Sequence, residues 1–183
     1  MGEDEVALVR RARNGDRAAF DELIRRTSRL VYARLYLDTG DAHLAEDLLQ
    51  ETLLRAFRSI HRLYDAAGFR SWLVTIAQNV QLDAGRRATR QKRTAPPLAV
   101  VTTSPPADQD LQREELRERV LAVLRSLPEE HRLPLTLRYI AGADYETIST
   151  QLGLTNGSLR GLLHRGLKML RERLPPEFAV ELE

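Results

Sequence analysis

Seventeen residues from Thr94 to Asp110, TAPPLAVVTTSPPADQD, interrupt this chain with two Pro-Pro pairs and no helical period. Proline lacks an amide donor and pushes the residue before it out of the α region, so neither a helix nor a central strand runs through such a stretch. The segment reads as a stiff, partly polyproline-like linker. On either side, apolar residues recur at steps of three and four. Nowhere outside the linker does two-residue alternation persist over six residues. The pattern predicts an all-α protein of two small helical domains. Their expected bounds are 1–93 and 111–174, with the linker at 94–110 and a tail at 175–183 opened by Pro175-Pro176.

In the first block, Val6, Leu8 and Val9 start a short helix that Asn14-Gly15 stops, and Asp16 stands ready as the next N-cap. Phe20, Leu23, Ile24, Leu30, Val31 and Leu35 carry the period on to Asp38-Thr39-Gly40-Asp41, where Asp41 caps a further helix. The expected buried stripe of that helix is Leu44, Leu48, Leu49, Thr52, Ala56, Phe57 and Ile60. After a loop at Tyr64–Gly68, the next stripe is Phe69, Trp72, Leu73, Ile76, Ala77, Val80 and Leu82. The lone tryptophan, Trp72, thus reads as core. In the second block, Leu116 to Leu127 form an amphipathic helix closed by Pro128, and Leu133 to Ile140 form another that Gly142 stops. A short helix at Asp144–Leu152, a turn at Gly153-Leu154-Thr155 and a longer helix at Asn156–Leu174 then give the helix-turn-helix pattern.

Composition narrows the function. The 183 residues include no cysteine, which removes disulfides, thiolate nucleophiles and sulfur-ligated metals. Four histidines, His43, His61, His131 and His164, form no His-x₃-His pair. There is no phosphate-cradling glycine loop and no paired catalytic motif, so we expect no catalytic residue, metal, cofactor or small-molecule substrate. No apolar run approaches the ~18 residues of a membrane span and no basic-then-apolar leader opens the chain, so the expected location is cytoplasmic.

Net charge is only +2, yet the pI is about 9.2, because all but Lys92 and Lys168 of the 28 basic residues are arginines. The distribution is more telling. No acid lies between Asp83 and Asp108, where Arg86, Arg87, Arg90, Lys92 and Arg93 crowd together. No acid lies between Glu146 and Glu172 either, a window holding Arg160, Arg165, Lys168 and Arg171. Two acid-free basic patches suggest two contacts with a polyanion. In the last helix, Arg160, His164, Lys168 and Arg171 share one face and Leu159, Leu163, Leu170 and Leu174 another. A recognition helix needs that division. Ahead of the first patch, Gln78, Asn79, Gln81 and Asp83 put polar groups beside phosphate-anchoring bases. The helix from Asp41 shows Asp47, Gln50, Glu51, Leu54, Arg55 and Arg58 opposite its buried stripe. The helix dipole accounts for those charges but not for an outward Leu54.

These pieces together resemble a known family. AEDLLQETLLRAF (Ala45–Phe57) and FRSWLVTIAQNVQLDAGRR (Phe69–Arg87) are similar to region 2 of bacterial sigma factors of the extracytoplasmic-function (ECF) group. The segment Leu127–Leu174 resembles their region 4. The resemblance implies a dissociable promoter-specificity subunit of RNA polymerase. It implies that Asp47, Gln50, Glu51, Leu54 and Arg55 dock on the clamp helices of the largest polymerase subunit. It assigns the −10 element to the Tyr64–Phe69 loop with Arg70, Ser71, Gln78, Asn79, Arg86, Arg87 and Arg90. A base flipped from the non-template strand would sit in that loop. Thr155, Ser158, Arg160, His164, Arg165 and Lys168 would read the −35 element, and an anti-sigma factor is the implied regulator. Where primary sigma factors carry duplex-wedging aromatics, this chain has Thr75 and Ile76, which implies poorer melting and stricter promoter choice.

The linker, fully extended at ~3.3 Å per residue, reaches ~56 Å. Elements about 16 base pairs apart lie ~54 Å apart. Simultaneous engagement is therefore feasible. The alternative reading is a stand-alone helix-turn-helix regulator whose N-terminal helical block is an interaction module. A last expectation concerns Leu159, Leu162, Leu163, Leu167, Leu170 and Leu174, a stripe wider than scaffold packing needs, on a helix weakened by Gly161 and Gly166. This face is expected to fold onto the chain's own N-terminal domain or onto a partner helix in the free protein.

Overall fold

The computed structural model describes residues 4–94 and 108–174, with side chains described for 4–90 and 115–174. The tail, most of the linker, and the Lys92 and Arg93 side chains lie outside the described residues. Among the described residues every regular element is helical: α1 (Glu5–Arg13), α2 (Arg17–Thr39), α3 (Ala42–Ser59), α4 (Phe69–Thr94), α5 (Asp108–Ser126), α6 (Glu129–Leu135), α7 (Tyr145–Leu152) and α8 (Asn156–Arg173).

The boundaries follow from local chemistry. Asp16 accepts the Ala19 amide at 3.1 Å and Asp41 the Leu44 amide at 3.1 Å, each satisfying an orphan donor of a helix's first turn. Gly40 ends α2 with φ of +71°, a left-handed C-cap natural to glycine. Between α3 and α4 the chain makes two short 3₁₀ turns, Ile60–Arg62 and Ala66–Gly68. Pro134 lies inside α6 and cannot donate to the carbonyl four residues back. The chain beyond it widens into a π turn over Thr136–Ile140, closed by the Ala141 amide on the Thr136 carbonyl at 3.0 Å.

Two cores form. The first joins α1 to α4 around Leu8, Val9, Leu23, Val31, Leu35, Leu48, Phe69 and Leu73. The second joins α5 to α8 around Leu124, Leu135, Leu137, Ile148, Leu159, Leu163 and Leu170. Trp72 packs, half-buried, against the first core as expected.

Three expected stripe residues are instead exposed: Leu44 (42%), Phe57 (46%) and Leu82 (58%). Helical geometry gives the reason. Leu44 stands three residues before Asp47, Phe57 three after Leu54, and Leu82 three after Asn79, so each shares the outer face of an exposed neighbour.

A larger departure concerns α2. Leu23, Val31 and Leu35 face the first core, while Leu30, Ala33 and Leu37 are buried in the second. The helix therefore carries two apolar stripes and serves both domains. Polar contacts reinforce the junction. Arg125 of α5 donates to the Leu37 carbonyl at 2.6 Å and the Asp38 carbonyl at 3.3 Å, and Arg117 donates to the Gly40 carbonyl. They satisfy acceptors that the end of α2 leaves open. Arg34 of α2 pairs with Glu129 of α6.

Candidate nucleic-acid and protein interfaces

The C-terminal face is assembled by two capped helices. Asp144 accepts the Thr147 amide at 2.7 Å, and that bond holds its carboxyl below the ordinary carboxylate range. Gly153, at φ of +66°, reverses the chain after α7. Thr155 Oγ1 accepts the Ser158 amide at 3.2 Å, and Ser149 Oγ meets Asn156 Oδ1 at 2.9 Å across the turn. Leu159, Leu163, Gly166 and Leu170 pack inward, while Thr155, Ser158, Arg160, His164, Arg165 and Lys168 are all exposed. These six residues are spread along α8 from its N-cap, Thr155, to Lys168.

The wide leucine stripe behaves otherwise than expected. Leu167 is partly buried against its own domain's core, and α8 packs on α6, α7 and α5. The contact with the N-terminal domain runs through α5, α7 and the π turn on α2, not through the Leu162–Leu167 face. Gly166 also has a packing role: a Cβ there would lie 2.9 Å from Leu135 Cδ1, so the missing side chain lets α6 and α8 approach closely. The buried His131, whose Nδ1 lies 3.2 Å from the Leu162 carbonyl, stands on the same seam.

The N-terminal face follows α4. Gln78, Asn79, Arg86, Arg87 and Arg90 are exposed along it. Ser71 is exposed too, its hydroxyl donating to the Gly68 carbonyl at 2.9 Å, so it finishes the turn that starts the helix. Asp83 lies just ahead of the basic run. The Arg55 guanidinium binds it at 2.8 Å and, with Arg87 and Arg86 nearby, holds its carboxyl below the usual range.

Arg70 departs from its expected outward role. It is half-buried, its Nε and Nη2 donating to Glu5 at 2.7–3.0 Å and its Nη1 to the Thr150 carbonyl at 3.4 Å and the Gln151 carbonyl.

Before α4 the loop is anchored by the buried Leu63 and Ala66, and Asp65 accepts the Ala67 amide at 3.0 Å. Tyr64 is lifted out, 94% exposed, and Arg13 of α1 donates to its carbonyl at 3.2 Å. The sequence marked this loop but not Arg13, which lies 51 positions away. An exposed ring beside basic side chains suits stacking on an unpaired base.

A third face lies on α3. Asp47, Gln50 and Leu54 are exposed, and Glu51 is half-buried. Arg55 was expected to point outward with them. It is half-buried instead, bridging Glu51 at 2.7 Å and Asp83 at 2.8 Å, because its long side chain can lie back against α4. Phe57, missed as an outer residue, adds apolar area next to Leu54 and carries the Arg17 guanidinium 5.8 Å from its ring centre. Its position seven residues after Gln50 was the available signal.

Among the described residues no group of three or more His, Asp or Glu is placed to hold a metal ion, and no helix is long and apolar enough to cross a membrane.

A helical domain offering amides and arginines along one helix, joined to a helix-turn-helix domain with a basic outer face, defines a bipartite DNA-reading protein. The family models for Sigma-70 region 2 and Sigma-70 region 4 match residues 23–91 and 117–170. The chain is 34% identical over 173 residues to the RNA polymerase sigma factor CarQ of Myxococcus xanthus, covering 91% of this chain and 95% of that one. It is 39% identical over 166 residues to the ECF RNA polymerase sigma factor SigE of Mycolicibacterium smegmatis, covering 87% of this chain and 64% of the relative's length. A structure of the sigma factor RpoE in complex with the anti-sigma factor NepR, from Bartonella quintana, aligns over 90% of this chain and 98% of that chain, with 19% identity and a TM-score of 0.42. The chain belongs to the sigma-70 family, as a member of its ECF group.

Proposed function

We propose that this protein binds core RNA polymerase in the cytoplasm and directs it to promoters, reading a −10 element with the first domain and a −35 element with the second to start transcription. The observation that carries the reading is the pair of separate, exposed, base-rich faces on α4 and α8, in a chain whose region 2 and region 4 matches occur in that order. The region 2 match tells against a stand-alone regulator, which needs only the helix-turn-helix.

Within this reading, Asp47, Gln50, Glu51 and Leu54, extended by Phe57, meet the polymerase clamp helices. Arg55 supports that face from behind by holding Glu51. Gln78 and Asn79 select bases while Arg86, Arg87 and Arg90 anchor phosphates. Tyr64 holds a displaced base, and Ser71 shapes the start of the reading helix. Arg160, His164, Arg165 and Lys168 enter the major groove, with Thr155 and Ser158 at the N-terminus of α8 beside the phosphates. An anti-sigma factor restrains the protein by covering these faces. No catalytic step is assigned to the chain; phosphodiester chemistry belongs to the polymerase. In vitro transcription with core polymerase on a randomised promoter library tests the reading. Initiation at a two-part consensus supports it, and no initiation above core polymerase alone refutes it.

A further inference from the structure

A groove of about 840 Å³ runs between the second half of α4 and the junction of α2 with α3. It has room for several side chains, since whole small-ligand sites hold roughly 300–1,000 Å³. Its walls are Leu44 and Leu48 on one side and Leu82, Ala84 and Ala88 on the other. Leu44 and Leu82 are exposed, so this apolar surface has no full cover among the described residues. The threonine hydroxyls on its rim are spent: Thr39 donates to the Leu35 carbonyl and Thr89 to the Gly85 carbonyl, each at 2.9 Å. Gly85 deepens the groove. A Cβ there would meet nothing within 4 Å, so no described neighbour requires the missing side chain, although glycine weakens a helix interior. A further chain segment lying close against α4 does require it.

Both ends of the linker lie beside this groove. Arg90, four residues before α4 ends at Thr94, lines one wall. Thr39 lines the other, next to Gly40, whose carbonyl accepts from Arg117 of α5. The chain that joins these points, 95–107, carries one apolar run, Leu98-Ala99-Val100-Val101, between its two Pro-Pro pairs. Leu82 lies 12 residues before Thr94, about 18 Å along a helix at ~1.5 Å per residue. Val100 lies six steps beyond Thr94, about 20 Å at ~3.3 Å each. The run can therefore reach back to Leu82. It carries no charge, which suits walls of leucine and alanine.

We propose that Leu98–Val101 seat in this groove, so that α4 holds the middle of the linker. Seating leaves seven steps from Val101 to Asp108, about 23 Å at ~3.3 Å each, in place of the 14 steps and about 46 Å from Thr94. A shorter tether raises the effective concentration of each domain near the other.

Two measurements on the full chain test this. The absence of native cysteine allows the first. Leu82→Cys is reacted with a chromogenic thiol reagent, alone and combined with Leu98→Ser/Val101→Ser, a linker change that touches neither core. Slow labelling that quickens fivefold or more in the linker variant supports the proposal. Equal rates overturn it. Protection that grows with protein concentration and ignores the linker change also overturns it, and assigns the groove to a second copy of the chain.

The second measurement follows thermolysin cleavage ahead of Leu98, Val100 and Val101 by mass spectrometry. Leu44→Asp/Leu82→Asp alters two exposed positions outside both cores, and thermal melts verify that the fold is kept. Cleavage within 97–101 that rises tenfold or more in this variant supports seating, and the same rate in both proteins overturns it. If the Asp pair melts early, the thiol comparison alone decides.

Discussion

Arg55 and Asp83, 28 positions apart, meet at 2.8 Å and tie the C-terminal part of α3 to the middle of α4. The same guanidinium holds Glu51 at 2.7 Å, so one side chain braces the candidate polymerase face against the candidate −10 helix. Losing Arg55 leaves two carboxylates unpaired. Arg55→Ala should therefore weaken core binding by less than removal of Leu54 and should also lower −10 affinity. Arg55→Lys should rescue little, because one ammonium cannot reproduce the fork across two carboxylates. Parallel titrations with core polymerase and with promoter DNA check this. Loss confined to polymerase binding would make Arg55 a direct contact.

On α3 itself, Glu51→Ala with Leu54→Ala is expected to cost ~2–4 kcal/mol of core affinity if these residues form a hot spot. Helicity should hardly change, as both lie on the outer side of α3. Titration with fluorescently labelled chain measures it.

Along α4, Asn79→Ala should change preference at one or two −10 positions, each worth ~1–3 kcal/mol. Arg86→Ala should weaken all promoters alike and flatten the salt dependence by about one unit of slope. Binding to a panel of single-base promoter variants at several salt concentrations separates the two roles.

The two glycines of α8 should respond in opposite directions. At Gly161 a Cβ meets only the flexible end of Arg165, at 3.2 Å, so Gly161→Ala should stabilise by about 0.5–1 kcal/mol. At Gly166 it meets Leu135, which is 2% exposed and has little room to move. Gly166→Ala should destabilise by about 1–3 kcal/mol despite its better helix propensity. Urea midpoints of the two variants decide the matter.

The Glu22 carboxyl, hydrogen-bonded by Arg25 and Arg26, is lowered from 4.5 to about 2. A depressed pKa means that the folded state binds the proton less readily than the unfolded one. The resulting stabilisation is complete above about pH 4.5 and disappears as the pH falls towards about 2. Thermal melts of native protein and Glu22→Gln should differ at pH 6 and converge at the acid end of that window.

Features decided within a few residues were legible in advance. Asp16 and Asp41 cap helices by reaching amides three positions on, and Gly153 turns the chain because its own backbone allows it. Both basic faces were legible as well, since like charges repel burial and α-helical spacing sorts them outward. Hidden from that view was everything whose partner is distant. Leu30 and Leu37 look like ordinary members of one stripe until α5 to α7 arrive, and Arg70 looks like a free cation until Glu5 and Gln151 claim it. Leu44, Phe57 and Leu82 were placed by hydrophobicity where angular position should have ruled.

The second apolar stripe of α2 has a consequence during synthesis. Leu30, Ala33 and Leu37 leave the ribosome well before the helices that cover them. From Leu37 to the end of α8 at Arg173 another 136 residues must be added, which at ~5–20 residues per second takes about 7–27 s. For that interval the nascent chain presents an uncovered greasy strip, long enough for a ribosome-associated chaperone to bind it before the rest of the polypeptide does.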